Sequence, residues 1–250
     1  MKNLRGVLCY EGTHYLGWQK TREGPSIEGE LEKALQILLR HPVELQAASR
    51  TDAGVHAKGQ VFNFFTSNEE IGLNRLCRGA NALLPRDIQI LALEETSNNF
   101  HPTLDATGKE YTYEICTDPI QLPFLRFHSW HFPYSLDIDA MQSASQALIG
   151  THDFTSFCND FSLLKPNPRC SIKTITFQPL GESRMKILVQ GNRFLYKMMR
   201  NLAGSLVYVG CGKISSSSMV DILHAKDRRL AGVTAPAHGL YLQNVFYESI

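Results

Sequence analysis

The chain lacks several patterns that would assign it to common classes of protein. Its 250 residues include only six cysteines, and no two of them form a Cys-x-x-Cys pair, which disfavours a zinc site or a disulfide framework. No apolar run approaches the roughly 20 residues that a membrane-spanning helix needs. The sequence also contains neither a glycine-rich phosphate-binding loop nor a Gly-x-Ser-x-Gly nucleophile motif. We therefore expect a soluble protein of the reducing cytoplasm.

Charge of either sign is not in excess. The formal net charge is +1, so the composition by itself does not indicate a nucleic-acid partner. An RNA-binding surface would require local clustering of lysine and arginine. The hydrophobic share of 43% is enough for a sizeable core, in one large domain or in two of about a hundred residues.

One short stretch concentrates groups that can carry out chemistry. Residues 50–56 read Arg-Thr-Asp-Ala-Gly-Val-His, and they lie between two predicted strands at 43–47 and 60–65. A carboxylate, an imidazole and a guanidinium thus share one loop, and reactive groups often lie on loops held by rigid strands. An ordinary turn, with Arg50 paired to Asp52 at the surface, would use the same residue types.

The first hundred residues show the periodicities of strand, helix, strand, strand, helix and strand in that order. Apolar residues recur at helical spacing over 27–38, where Ser26 is a candidate N-cap, and again over 71–84. This order is typical of a split βαβ sandwich. We expect an α+β protein with two similar domains of mainly antiparallel sheet, at 1–104 and 105–250, and a catalytic cleft between them.

A third helical pattern carries three cations. Apolar residues at helical spacing predict a helix over 195–206, and Arg193, Lys197 and Arg200 repeat at i, i+4 and i+7 on one face. A solvated basic face would explain this arrangement. An anion nearby, either RNA phosphate or the carboxylate of Asp52, would relieve the repulsion between the cations.

Residues 50–56 resemble the signature of the TruA-type tRNA pseudouridine synthases. Further segments resemble the same family: Gly-Trp-Gln at 17–19, Lys-x-Tyr-x-Tyr at 109–113, Met-x-Arg-Asn at 198–201 and Gly-Leu-Tyr-Leu at 239–242. The resemblance therefore extends from Tyr10 to Leu242. The chain departs from the family pattern at Glu11, where an aspartate is usual, and at Thr103, where an arginine is usual.

The resemblance implies a role for each matched polar residue. Asp52 would be the catalytic carboxylate, acting as a nucleophile, as an electrostatic partner of an oxocarbenium-like sugar, or as a base on the sugar. Arg50 would enter the base stack when the target nucleotide flips out. Tyr111 would face the uracil, although a core tyrosine would show the same sequence pattern. Arg200 would join an ion network with Asp52.

The remaining candidates are substrate-binding residues. His56 is expected to make local hydrogen bonds rather than to transfer protons. Leu240 and Leu242 would line the uracil pocket, and Arg193 and Lys197 would contact the RNA.

The resemblance further implies isomerisation of uridine to pseudouridine at positions 38, 39 and 40 of the tRNA anticodon stem-loop. The enzyme would act as a homodimer without a metal or cofactor. A non-catalytic RNA-binding protein is the main alternative, since split βαβ sheets often bind RNA by stacking. An aspartyl hydrolase is disfavoured, because such enzymes need paired carboxylates.

Overall fold

The computed structural model describes residues 1–68, 70–159 and 167–248. These residues form two compact units, Met1–Thr107 with Tyr241–Ile250, and Gly108–Leu240. Residues from 241 onward thus group with the first unit, whereas the sequence suggested a second domain that extends to the end of the chain. The segment 159–169, whose polar and proline-containing sequence predicts a loop, lies mostly outside the described residues. None of the described helices is long and apolar enough to cross a membrane.

The secondary structure alternates between strands and helices along the described chain. The strands are β1 (Lys2–Tyr10), β2 (Gln46–Ala47), β3 (His56–Thr66), β4 (Ile88–Thr96), β5 (Ala106–Cys116), β6 (Trp130–His131), β7 (Gly150–Asp153), β8 (Arg169–Pro179), β9 (Arg184–Gly191) and β10 (Leu240–Tyr247). The α-helices are α1 (Ile27–Leu39), α2 (Leu73–Leu83), α3 (Ile138–Gln146), α4 (Met198–Gly210) and α5 (Ser218–Ala225).

In the first unit the strand order is β4-β1-β3-β10, with β2 also paired to β3. Strand β1 is antiparallel to both β3 and β4, while β10 runs parallel to β3. Helix α1 begins as the sequence predicts, because the side chain of Ser26 accepts a hydrogen bond from the Gly29 amide at 3.2 Å. Apolar side chains that are almost completely buried form the core: Leu8, Ile27, Leu31, Leu35, Phe62 and Phe64.

In the second unit the strand order is β5-β9-β8-β7, and every neighbouring pair in it is antiparallel. The short strand β6 pairs with β5 in parallel. Helix α4 is buried over most of its surface and contacts α3. An α+β protein with mostly antiparallel sheet is therefore confirmed.

The prediction that Arg193, Lys197 and Arg200 share one helical face is wrong. Helix α4 begins only at Met198, and Lys197 before it has a left-handed backbone with φ of +57°. Upstream, the side chain of Asn192 accepts hydrogen bonds from the amides of Ser171 and Arg193 at 2.8 and 2.7 Å. These bonds hold the chain in an irregular conformation, so residues 193–197 do not continue the helix and the cations do not share its face.

Candidate active site

Asp52 lies at the start of a tight turn between β2 and β3. The Val55 amide donates to the Asp52 carbonyl at 3.1 Å, and Gly54 has a φ of +77°. The side chain of Asp52 is half-buried, whereas Arg50 is exposed. Arg50 makes no ion pair or hydrogen bond with any described residue, so the surface pair of Arg50 with Asp52 that the sequence allowed is not formed.

The backbone immediately before Asp52 is held by buried partners. The Trp18 amide donates to the Thr51 carbonyl at 3.0 Å, and the hydroxyls of Tyr10 and Thr51 lie 2.8 Å apart. The side-chain amide of Gln60, which is fully buried in β3, donates to the Ser49 carbonyl at 2.6 Å and accepts from the Ser49 amide at 3.3 Å. The chain entering the turn is therefore held through the main chain of Ser49 and Thr51 and through the Thr51 hydroxyl.

The loop that follows β1 packs directly against this turn. Gly17 has a φ of +93°, and a β-carbon there would lie 2.5 Å from the Thr51 carbonyl oxygen, so only glycine fits. Tyr15 and Trp18 are 6% and 2% exposed, and the Tyr15 hydroxyl donates to Asp87 at 2.6 Å. Burial and this bond to a carboxylate raise the pKa of Tyr15. These aromatic residues pack the loop onto the unit.

His56 joins the end of β1 to the turn. Its ring is almost fully buried, and Nδ1 accepts a hydrogen bond from the Gly12 amide at 3.1 Å. An accepting Nδ1 carries no proton, so in this arrangement the imidazole is neutral with its proton on Nε2. The ring stacks on Tyr241, with 4.7 Å between centroids and 24° between planes. His56 therefore makes structural contacts at the base of the turn.

Two tyrosines of the second unit lie on one face of β5. Tyr113 is fully buried and its hydroxyl donates to the Pro236 carbonyl at 2.8 Å, and burial raises its pKa well above the ordinary value. Tyr111 is 6% exposed and packs edge-on against Phe194, with 4.9 Å between centroids. Tyr113 thus has the core role that the sequence left open for both residues.

Lys109 shares that face of β5, and the sequence interpretation assigned it no role. It is 8% exposed and has no ion-pair or hydrogen-bond partner among the described residues. Burial lowers the pKa of its ammonium group to about 8. The strand alternation that places Lys109 on the side of Tyr111 and Tyr113 would have revealed this buried cation.

Arg200 lies in the first turn of α4 and is half-buried. Its Nε donates to the Ala235 carbonyl at 2.7 Å, and the Ala235 amide donates back to the Arg200 carbonyl at 3.1 Å. Arg193 is instead engaged with main chain, because its Nη2 donates to the carbonyls of Asn167 and Arg169, the latter at 3.0 Å. The Lys197 ammonium lies 5.0 Å from the centroid of the Tyr196 ring.

The candidate residues are distributed over both units. The first unit contains Arg50, Asp52, His56 and Leu242, and the second contains Tyr111, Arg193, Lys197, Arg200 and Leu240. Within the first unit, strand pairing places Tyr241 opposite His56 and Leu242 opposite Ala57. Leu242 is fully buried and Leu240 is 6% exposed. The described residues contain no cluster of three histidine, cysteine or acidic side chains that could hold a metal ion.

Comparison with known proteins defines the class. The chain matches the family model described as tRNA pseudouridine synthase over residues 8–105 and 144–248, and it belongs to that family. Among its relatives it is similar to tRNA pseudouridine synthase A 2 of Protochlamydia amoebophila (strain UWE25), at 46% identity over 99% of this chain and 95% of that protein. It is also similar to tRNA pseudouridine synthase A of Bacillus pumilus (strain SAFR-032), at 41% identity over 98% and 99%.

Similarity to solved structures is much weaker. An H/ACA ribonucleoprotein bound to a substrate RNA containing 2′-deoxyuridine aligns with a TM-score of 0.40 and 10% identity, over 82% of this chain and 44% of that one.

Proposed function

We propose that the chain isomerises uridine to pseudouridine in tRNA, with Asp52 as the catalytic carboxylate. The observation that carries the proposal is the turn of residues 50–56. The Thr51 carbonyl accepts from the Trp18 amide, the Thr51 hydroxyl bonds to Tyr10, and the preceding Ser49 backbone bonds to the buried Gln60 side chain. These bonds fix the backbone that carries Asp52. Membership of the tRNA pseudouridine synthase family supports the same assignment.

In the proposed reaction the N1–C1′ glycosidic bond breaks, the uracil rotates while held in the site, and C5 bonds to C1′. The proton on C5 leaves and N1 gains a proton, so atoms and charge balance without an oxidant, a metal or a cofactor. Asp52 can serve as the nucleophile at C1′, as the partner of an oxocarbenium-like sugar, or as a base on the sugar.

The other residues take roles that suit their surroundings. Arg50 is exposed and makes no hydrogen bond or ion pair with a described residue, so its guanidinium is available to enter the base stack. Tyr111 presents its ring to uracil, and Leu240 and Leu242 supply apolar contacts. Arg200 offsets the charge of Asp52 during the reaction.

Three residues contribute less directly. His56 supports the turn through its bond from the Gly12 amide. Lys197 contacts RNA phosphate. Arg193 also contacts RNA, although its main-chain contacts leave less of its hydrogen-bonding capacity for that role.

The proposal extends to substrate, assembly and location. The substrate is the tRNA anticodon stem-loop, with uridines 38, 39 and 40 as targets, and the active form is a homodimer. All six cysteines are free thiols, in keeping with a cytoplasmic enzyme.

Site-specific mapping tests the substrate assignment. Three anticodon stem-loop transcripts, each with uridine at only one of positions 38, 39 and 40, are incubated with the protein and probed by carbodiimide modification and primer extension. We expect a stop at each target uridine and none at a uridine in the acceptor stem. Binding without any stop would favour the alternative of a non-catalytic RNA-binding protein.

A further inference from the structure

A short segment of the second unit, residues 231–236, contacts Arg200 of the candidate site and the core residue Tyr113. Ala235 in this segment exchanges hydrogen bonds with Arg200 at both its carbonyl and its amide. The Pro236 carbonyl accepts from the hydroxyl of Tyr113, at 2.8 Å. The 231–236 segment therefore holds the Arg200 guanidinium at its Nε.

Arg228 holds this segment in place with one planar side chain. Its Nη1 donates to the Gly232 carbonyl at 2.8 Å, and its Nη2 donates to the Thr234 hydroxyl at 2.9 Å. The same Nη2 donates to the Asn201 side-chain carbonyl at 2.8 Å. Arg228 thus connects the segment to α4 at the residue that directly follows Arg200.

Asn201 completes the connection from the helix side. It is fully buried, and its side-chain oxygen accepts from the Thr234 hydroxyl at 2.7 Å as well as from Arg228. Its amide group donates to the Phe157 carbonyl at 2.7 Å. Because Arg228, Thr234 and Asn201 form a closed set of hydrogen bonds, loss of the guanidinium would weaken the attachment of the segment to the helix and leave the Thr234–Asn201 bond without its partner.

We propose that Arg228 is a positioning residue for the isomerisation, which sets the orientation of Arg200 through the 231–236 segment. This inference rests on the proposed function. The fork geometry of a guanidinium is needed, because lysine presents its donors from a single point and cannot reach the Gly232 carbonyl, Thr234 and Asn201 together.

Arg229, the next residue in the chain, provides a matched control. Its side chain is 88% exposed and pairs with Asp227 at 2.6 Å. Arg228→Gln and Arg229→Gln each remove one positive charge from the same turn, so they change the attraction to RNA similarly. Both variants are compared with the wild type by release of tritium from tRNA labelled at uracil C5.

We expect Arg228→Gln to lower the single-turnover rate by about ten- to a hundredfold, because misplacement of a catalytic group by about 1 Å has effects of this size. KM for tRNA should change by less than about threefold, as an effect on chemistry rather than binding requires. Arg229→Gln should keep the wild-type rate, and Arg228→Lys should stay impaired. Equal rates for the two glutamine variants, or full activity of Arg228→Lys, would overturn the inference.

A double-mutant cycle separates positioning from a general loss of folding. If Arg228 acts through Arg200, Arg228→Gln should reduce the rate little further in an Arg200→Lys background. Additive losses would mean that Arg228 does not act through Arg200, and the inference would fail. If the wild type and Arg229→Gln both bind tRNA but release no tritium, the proposed function fails as well. An active wild type with no difference between Arg228→Gln and Arg229→Gln overturns the inference alone.

Discussion

Replacement of Lys109 by methionine should stabilise the protein at neutral pH. Lys109 is 8% exposed and its ammonium group has no partner among the described residues, and burial lowers its pKa from 10.5 to about 8. Each tenfold change in a proton dissociation constant corresponds to about 1.4 kcal/mol. The charged lysine therefore destabilises the folded state by about 3 kcal/mol at pH 7, relative to an uncharged side chain of similar length.

The sign of the pH dependence follows from where the proton binds. Between pH 8 and 10.5 the unfolded chain keeps the proton on Lys109 while the folded chain has begun to lose it. Stability rises with pH wherever the unfolded state binds more protons, so the wild type gains stability across this interval. The methionine variant lacks this contribution. The difference by which its free energy of unfolding exceeds that of the wild type should therefore shrink by about 2 kcal/mol between pH 7 and pH 10.

Urea unfolding followed by circular dichroism at pH 7, 8.5 and 10 measures this difference. Lys173→Met, which removes an exposed lysine from β8, controls for the change in net charge and should alter the free energy of unfolding by less than about 0.5 kcal/mol. An advantage of the Lys109→Met variant that stays constant with pH would refute the reasoning. So would a Lys109→Met variant that is less stable than the wild type at pH 7.

The remaining predictions concern α4. A β-carbon on Gly204 would overlap the Val233 carbonyl oxygen, so Gly204→Ala should lower the free energy of unfolding by about 1–3 kcal/mol. As a control, no atom lies within 4 Å of a β-carbon at position 72. The free energy of unfolding of Gly72→Ala, measured by urea titration, should therefore differ from that of the wild type by less than about 1 kcal/mol. Arg200→Ala should slow the single-turnover rate with little change in tRNA affinity, whereas weaker binding at an unchanged rate would assign Arg200 to phosphate contact.

The sequence predicted the parts of the fold that depend on local periodicity. The helix capped by Ser26 and the α+β class follow from apolar spacing, and the structure confirms both. The spacing of apolar residues gave a wrong prediction at 193–197. It carries no information on the hydrogen bonds that the Asn192 side chain accepts from two backbone amides, or on the left-handed conformation of Lys197. The pairing of β10 with β3 joins residues far apart in the chain, and local periodicity carries no information on such contacts.

Part of the candidate site could also be predicted, because some of its residues form a local sequence pattern. The run around Asp52 is visible in the sequence because its reactive residues are consecutive. Arg228 carries no such signal, and for Lys109 the only signal is the strand alternation that places it on the face of Tyr111 and Tyr113. The burial of Lys109 depends on its face of the sheet, and the contacts of Arg228 reach Asn201 and the 231–236 segment only in the folded chain.

Tritium release from tRNA labelled at uracil C5, measured for the wild type and for Asp52→Asn, tests the central claim most directly. The asparagine keeps the size of the side chain and removes its charge, so Asp52→Asn should fold and bind tRNA as the wild type does. We expect release by the wild type and none by Asp52→Asn. Release by Asp52→Asn above a few per cent of the wild-type rate would contradict the assignment of Asp52 as the catalytic residue.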